Sequence, residues 1–232
     1  MLIIRFFQKG GLFMFPILLT LLVGLVIAIE RWIQLKRVRE ANKKTWDSMS
    51  SKLEKGEFDK AREIANKDDS FMAQMLGMGL ARQGAVRRRE DIEIAMEESM
   101  MEIVPQLEKR TPYLALLSNI ATLFGLLGTI MGLIMAFAAV ATASPAEKAA
   151  LLAASISEAM NCTAFGLMSA IPLLLFHARL TTVTGHIVNS LEMASVKALN
   201  SISSFTKRQF EKTPFIPSVD ATGAEHVQTI SQ

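Results

Sequence analysis

The chain has 232 residues, 50% of them hydrophobic, with a mean hydropathy of +0.31, a net charge of +3 and a pI near 9.1. A globally disordered chain, a collagen and a disulfide scaffold are excluded, and the single cysteine, Cys162, permits no intrachain disulfide. Charge is missing in long runs: residues 10–29, 111–146 and 159–178 hold no Asp, Glu, Lys or Arg, and a membrane-spanning helix needs roughly 20 apolar residues.

The expected fold is therefore an all-α integral membrane protein with three transmembrane helices. Residues 1–11 read as an outer segment forming a short interfacial helix, and 12–30 as the first span. That span is too long for a signal-peptide core and lacks a small-x-small cleavage site before Glu30, so it is read as a retained anchor. Orientation follows from the bases: 17 of the 25 Lys and Arg lie in the segment 31–110, including Arg31, Lys36, Arg37, Arg39, Lys43 and Lys44. Positive charge beside span ends stays cytoplasmic, which puts the N-terminus outside and the large loop and C-terminus inside. The same segment carries 16 of the 22 acids, counted from Glu30 to Glu108. Its near-neutral balance argues against nucleic acid as a partner.

Region 31–110 reads as a helical cytoplasmic block with breaks near Gly56, Lys67 to Ser70, Gly84 and Pro105. Phe58, Ala61, Ile64 and Ala65 form one apolar stripe and Met96, Met100, Ile103 and Val104 another. With the methionine-rich run Met72 to Met78, they are read as packing surfaces. Thr111 before Pro112 reads as an N-cap with proline at the first helical position, opening a second span over 111–143. Ser144-Pro145-Ala146-Glu147 reads as a capping box opening a third, over 144–178, where Pro172 is a kink candidate. So short an outer turn makes these two spans an antiparallel hairpin. Pro112 to Thr142 is about 46 Å of helix at 1.5 Å per residue, against a hydrocarbon core of about 30 Å. Counted from the outer turn, Pro112 to Ala121 and Ile171 to Phe176 project into the cytoplasm, and apolar surface of that extent implies an oligomer. A C-terminal cytoplasmic helix over 179–212 and a disordered tail over 213–232 complete the expected order.

Polar and small residues inside the hairpin carry the functional reading. Thr122, Gly125, Thr129, Gly132 and Ala136 share one helix face, and Gly128 with Gly132 forms GxxxG. Ser155, Ala159, Thr163, Gly166 and Ala170 form a similar face on the third span. Close helix packing accounts for Gly125, Gly128, Gly132 and Gly166. Thr129 and Thr163 fall within about 3 Å of the same depth when counted from the turn. For Glu158 two placements compete. It either lies at the interface below a span made by 159–178 alone, or about 20 Å in from the turn, level with Gly132. The capping box favours the second, where a carboxylate normally faces an aqueous path or a partner. No nucleophile–base pair, P-loop, GxGxxG, CxxC or HExxH motif is present, and His177, His186 and His226 are far apart in sequence. No enzyme, cofactor or metal site is expected.

The segments NIATLFGLLGTIMGLIMAF (Asn119 to Phe137) and ISEAMNCTAFGLMSAIP (Ile156 to Pro172) resemble the MotA/TolQ/ExbB proton-channel family. Three spans and the Glu30-Arg31 pair bring the chain nearest its ExbB/TolQ branch, since MotA-type members have four. The resemblance implies a homo-pentamer in the bacterial inner membrane around an ExbD- or TolR-like single-span partner whose aspartate carries the proton. Proton flow would then be coupled through a TonB- or TolA-like protein to the outer membrane. On that motif Thr129 and Thr163 match pore-facing threonines and Glu158 the third-span glutamate, while Asn161-Cys162 departs from the usual apolar or small pair. TonB-type uptake and Tol-type envelope maintenance both stay open. The rival class is a non-conducting membrane scaffold, whose small faces serve packing alone.

Overall fold

A computed structural model describes residues 11–83 and 89–212, with side chains to residue 205. The interfacial helix expected at the N-terminus, the Gly84 break itself and the tail after Lys212 lie outside the described residues. Among the described residues six helices follow in order: α1 Met14–Glu54, α2 Phe58–Lys67, α3 Phe71–Arg82, α4 Arg89–Glu108, α5 Thr111–Thr142 and α6 Lys148–Lys212. Among the described residues three helical stretches are long and apolar enough to cross a membrane, in α1, α5 and α6. The chain is a multi-pass membrane protein in which α5 and α6 form the long hairpin.

Helix ends follow local chemistry at most of the expected breaks. After α1, Gly56 takes a left-handed φ of +75°, and Phe205 packs where a side chain would otherwise stand. Ser70 caps α3, its hydroxyl accepting from Ala73 N at 3.1 Å. Three expectations need correction. α4 runs through Pro105 without a break. The carbonyl that a helix proline strips of its donor lies four residues back, at Met101, which is 74% exposed, so solvent is within reach of it. Thr111 is not the cap of α5: Arg110 holds that place in a left-handed conformation, φ +66°, and the buried Thr111 hydroxyl makes no capping bond. At the hairpin turn, Ser144 Oγ donates to Glu147 Oε2 at 2.5 Å instead of capping the backbone, and regular helix begins at Lys148. α6 then continues as one helix through Pro172 and past residue 179.

The register of α1 against the hairpin fixes what lies beside what. Cβ atoms placed on Gly11 and Gly24 would meet Glu158 and Leu173, and one on Gly128 would touch Phe13. At the far end Glu30 pairs with Arg110. Apolar α1 therefore runs beside the 110–128 part of α5, with Ile17 and Ala121 in one buried cluster and Ala28 and Leu114 in another. The stretch 112–121 thus packs against the uncharged part of α1 rather than beyond it. Counting from the turn had fixed only one end of a hairpin longer than a bilayer, and α1 supplies the second landmark. The hairpin tip, residues 129–157, extends past the start of α1 with most of its side chains exposed.

Below the charged end, α2, α3 and α4 pack with the far parts of α1 and α6 around a second core. Met49, Leu53, Met75, Leu76, Met96, Ile103 and Leu191 are buried there. Both stripes read from the sequence contribute: Ala61, Ala65, Met96 and Ile103 are buried, with Phe58, Ile64 and Met100 packed against them. Met72 and Met75 face this core, while Met78 is exposed.

Candidate functional site

Between α5 and α6 the backbones nearly touch. A Cβ on Gly166 would lie 2.9 Å from the Ala121 carbonyl oxygen and 3.0 Å from Gly125 Cα, and one on Gly125 would lie 3.2 Å from Gly166 Cα. Only glycine opposite glycine permits this approach, and in a membrane such contact replaces the missing hydrophobic drive. One turn nearer the hairpin turn, Cys162 Sγ occupies the space that a side chain on Gly128 would need. Cys162 therefore fills the gap opposite a glycine. Gly132 faces Ala159, whose Cβ would be 3.0 Å from an added Cβ.

Two hydroxyls stitch the same seam. Thr163 Oγ1 donates to the Gly125 carbonyl at 2.9 Å, and Ser118 Oγ donates to the Ala170 carbonyl at 2.8 Å. Thr129, by contrast, donates to Leu126 O of its own helix at 2.5 Å, the usual habit of a membrane threonine. The two threonines are about two residues apart in level, given the pairing of Gly128 with Cys162. Within one chain Thr163 belongs to the packing seam and Thr129 does not.

Glu158 is placed by its neighbour: Ala159 faces Gly132, so Glu158 sits within the hairpin at that level, over the backbone of Gly11. Gly11 has φ +73°, a conformation that favours glycine, and a Cβ there would meet Glu158 Oε1, the end of a flexible side chain. Glu158 is exposed, and no described residue forms an ion pair or hydrogen bond with it. The carboxylate lies at the exposed surface of the three-helix unit, beside the start of α1.

Several polar groups in this region were not read as site residues from the sequence. Ser169, Thr184 and Thr111 are buried with hydroxyls that have no partner among the described residues. A hydroxyl in an apolar run is the only sequence signal for them. Arg31 is 2% exposed. Its guanidinium donates to Gln34 Oε1 at 2.7 Å and to the Leu107 carbonyl, one of the acceptors left free in the last turn of α4. Burial lowers its pKa from the usual arginine value, with Glu30 opposing and Arg110 adding to the effect. Together with the Glu30–Arg110 ion pair, it clamps the first span to the corner between α4 and α5. Among the described residues no cluster of three or more His, Cys, Asp or Glu could hold a metal.

A glycine seam, hydroxyls bonding across it and an exposed carboxylate in an apolar hairpin characterise this helical membrane protein. Comparison with known sequences supplies the class: the profile of the MotA/TolQ/ExbB proton channel family matches residues 65–193. The chain belongs to this family, whose members are transport proteins and not enzymes. It is 33% identical over 121 residues to a Tol-Pal system protein TolQ of Haemophilus influenzae, covering 52% of this chain and 51% of that one. It is also similar to two Synechocystis proteins described as putative biopolymer transport proteins. ExbB-like 1 is 31% identical over 172 residues, 71% of this chain and 65% of the relative. ExbB-like 3 is 30% identical over 177 residues, 73% and 80%. The chain thus spans about half of the TolQ relative and just under two thirds of ExbB-like 1.

Proposed function

We propose that the chain is the wall-forming subunit of a proton-driven motor in a bacterial inner membrane, N-terminus outside. It would assemble as a homo-oligomer, with five copies the family expectation, around an ExbD-like single-span partner, and energise TonB-dependent transport. The observation that carries this reading is Glu158: an exposed carboxylate within an apolar hairpin, unpaired by any described residue. A charge in a bilayer costs at least roughly 2.5–3.5 kcal/mol unless it meets water or a partner. Copies arranged with Glu158 and Thr129 inward would supply both, and the partner's carboxyl would complete the proton path. Exposed Leu126, Ile130, Phe137, Leu175 and Ile171 offer the apolar surface for lipid and neighbouring copies.

The test is Glu158→Gln in the assembled complex, following proton-driven uptake in cells and co-purification with the single-span partner. Uptake should fall at least tenfold with assembly intact. Full uptake in Glu158→Gln would overturn the site, and loss of assembly alone would favour the scaffold reading. A Tol-type role is supported by the 33% identity to TolQ. Deleting the gene separates the two, since envelope leakage without an uptake defect would assign the Tol pathway.

A further inference from the structure

Beyond the membrane part, a cavity of about 270 Å³ opens between α1 and α6, capped by Met72 of α3. One face of α1 contributes Arg39, Asn42, Lys43 and Trp46, and one face of α6 contributes His186 and Lys197 among others. The lining holds three permanent cations and no carboxylate, in a chain whose overall charge is nearly balanced. Two features make it a built site. Lys197 is held over the Trp46 ring, its ammonium 5.9 Å from the centroid, within cation–π range. Asn42 is 3% exposed; its carboxamide oxygen accepts from Met72 N at 3.1 Å, while its NH2 group has no partner among the described residues. A buried donor left unpaired is costly, and here it stands in the wall of a basic cavity.

We propose that this cavity binds a phosphate-bearing anion, with Arg39, Lys43 and Lys197 neutralising it, Asn42 donating to it and Trp46 covering its less polar side. The volume, near the lower end for small-molecule sites, fits one phosphate group with a small attached body. Arg39 and Lys43 lie about 14–20 Å along α1 from Glu30, further than a lipid headgroup beside the uncharged run would sit. A soluble phosphate is thus the favoured source. The inference is independent of the proton path, since none of these residues is in the hairpin seam.

The chain has two tryptophans, so Trp32→Phe leaves Trp46 as the only indole reporter. The assembled complex with Trp32→Phe is placed in phosphatidylcholine nanodiscs and titrated with inorganic phosphate and with pyrophosphate, reading Trp46 fluorescence with calorimetry as the second measurement. A parallel arm replaces phosphatidylcholine by phosphatidylglycerol without added phosphate. The expected result is saturable binding of the soluble anions, weakened about tenfold or more by Lys43→Gln and by Arg39→Gln. A change seen only with phosphatidylglycerol, and lost in both variants, would support the same site with a headgroup as the source. No saturable binding in either arm, or binding unaltered in both variants, overturns the proposal.

Discussion

The hairpin seam and the core of the polar block hold helices together by opposite means. At the seam, Gly125 meets Gly166 almost backbone to backbone, and side-chain hydroxyls bond across the gap. In the block, Met49, Met75, Leu76 and Met96 fill the space between helices with long apolar chains. The difference follows from the surroundings. Water drives apolar side chains together, whereas lipid tails are as apolar as leucine and leave close contact and hydrogen bonds as the attraction. Removing volume should therefore harm the block, and adding volume should harm the seam.

The largest expected effect is in the block. Met75 is fully buried, and Met75→Ala should cost about 2–5 kcal/mol, read as a lower melting temperature of the purified complex. At the seam the sign of the volume change reverses: Gly166→Ala should destabilise by about 1–3 kcal/mol, although alanine is the better helix former. Gly185 is the matched control, since nothing lies within 4 Å of its added Cβ, and Gly185→Ala should stabilise by up to about 1 kcal/mol. If both alanines acted alike, the seam would not be close-packed.

A smaller effect separates the hydrogen bond from the space it occupies. Thr163→Val should cost about 0.6–1.7 kcal/mol, the range for bonds between membrane helices, and Thr163→Ser should restore most of it. Proton-driven uptake should follow the same order if Thr163 acts by packing. Activity lost equally in both variants, with melting unchanged in the serine one, would give its methyl group a role in the path.

The smallest prediction concerns pH. Asp68 joins α1 to the cap of α3: its carboxylate accepts from Thr45 Oγ1 and from Ser70 N, the latter at 2.9 Å. Burial raises its pKa, but those hydrogen bonds and the nearby Lys44 outweigh it and leave the value below the usual aspartate range. A carboxyl depressed in the folded state adds stability above its unfolded pKa of about 3.9 and loses it as pH falls through the folded value. Amide exchange in α3 should therefore rise on acidification below about pH 4, and Asp68→Asn should remove that pH dependence while leaving the hairpin unaffected.

How much of this was readable beforehand depended on whether the cause was local. The hairpin and its glycines announce themselves, because a membrane run with small residues every three or four positions has few other uses. Gly56 and Ser70 were legible because turn and cap chemistry sits in one or two residues. Arg110 was not: a non-glycine residue in the left-handed region costs roughly 1–2 kcal/mol, and what accompanies it here is Glu30, 80 positions away. Arg31 counted as one more topology charge in sequence, yet it is buried against the end of α4. Glu158 was found as the charge that interrupts an apolar run, but its setting over Gly11 depends on how α1 docks. The basic cavity needs the same docking, since its two faces are at least 140 positions apart in sequence.

The unbroken course of α6 has a mechanical consequence. One helix of 65 residues carries both Glu158 and Lys197, with about 60 Å of stiff rod between them. As one continuous helix it acts as a lever arm: a tilt of about 5° at the hairpin would sweep the far end by roughly 5 Å over that length. A small adjustment around the Glu158 carboxylate thus becomes a displacement as large as a side chain at the opposite end, with no relay of separate elements in between.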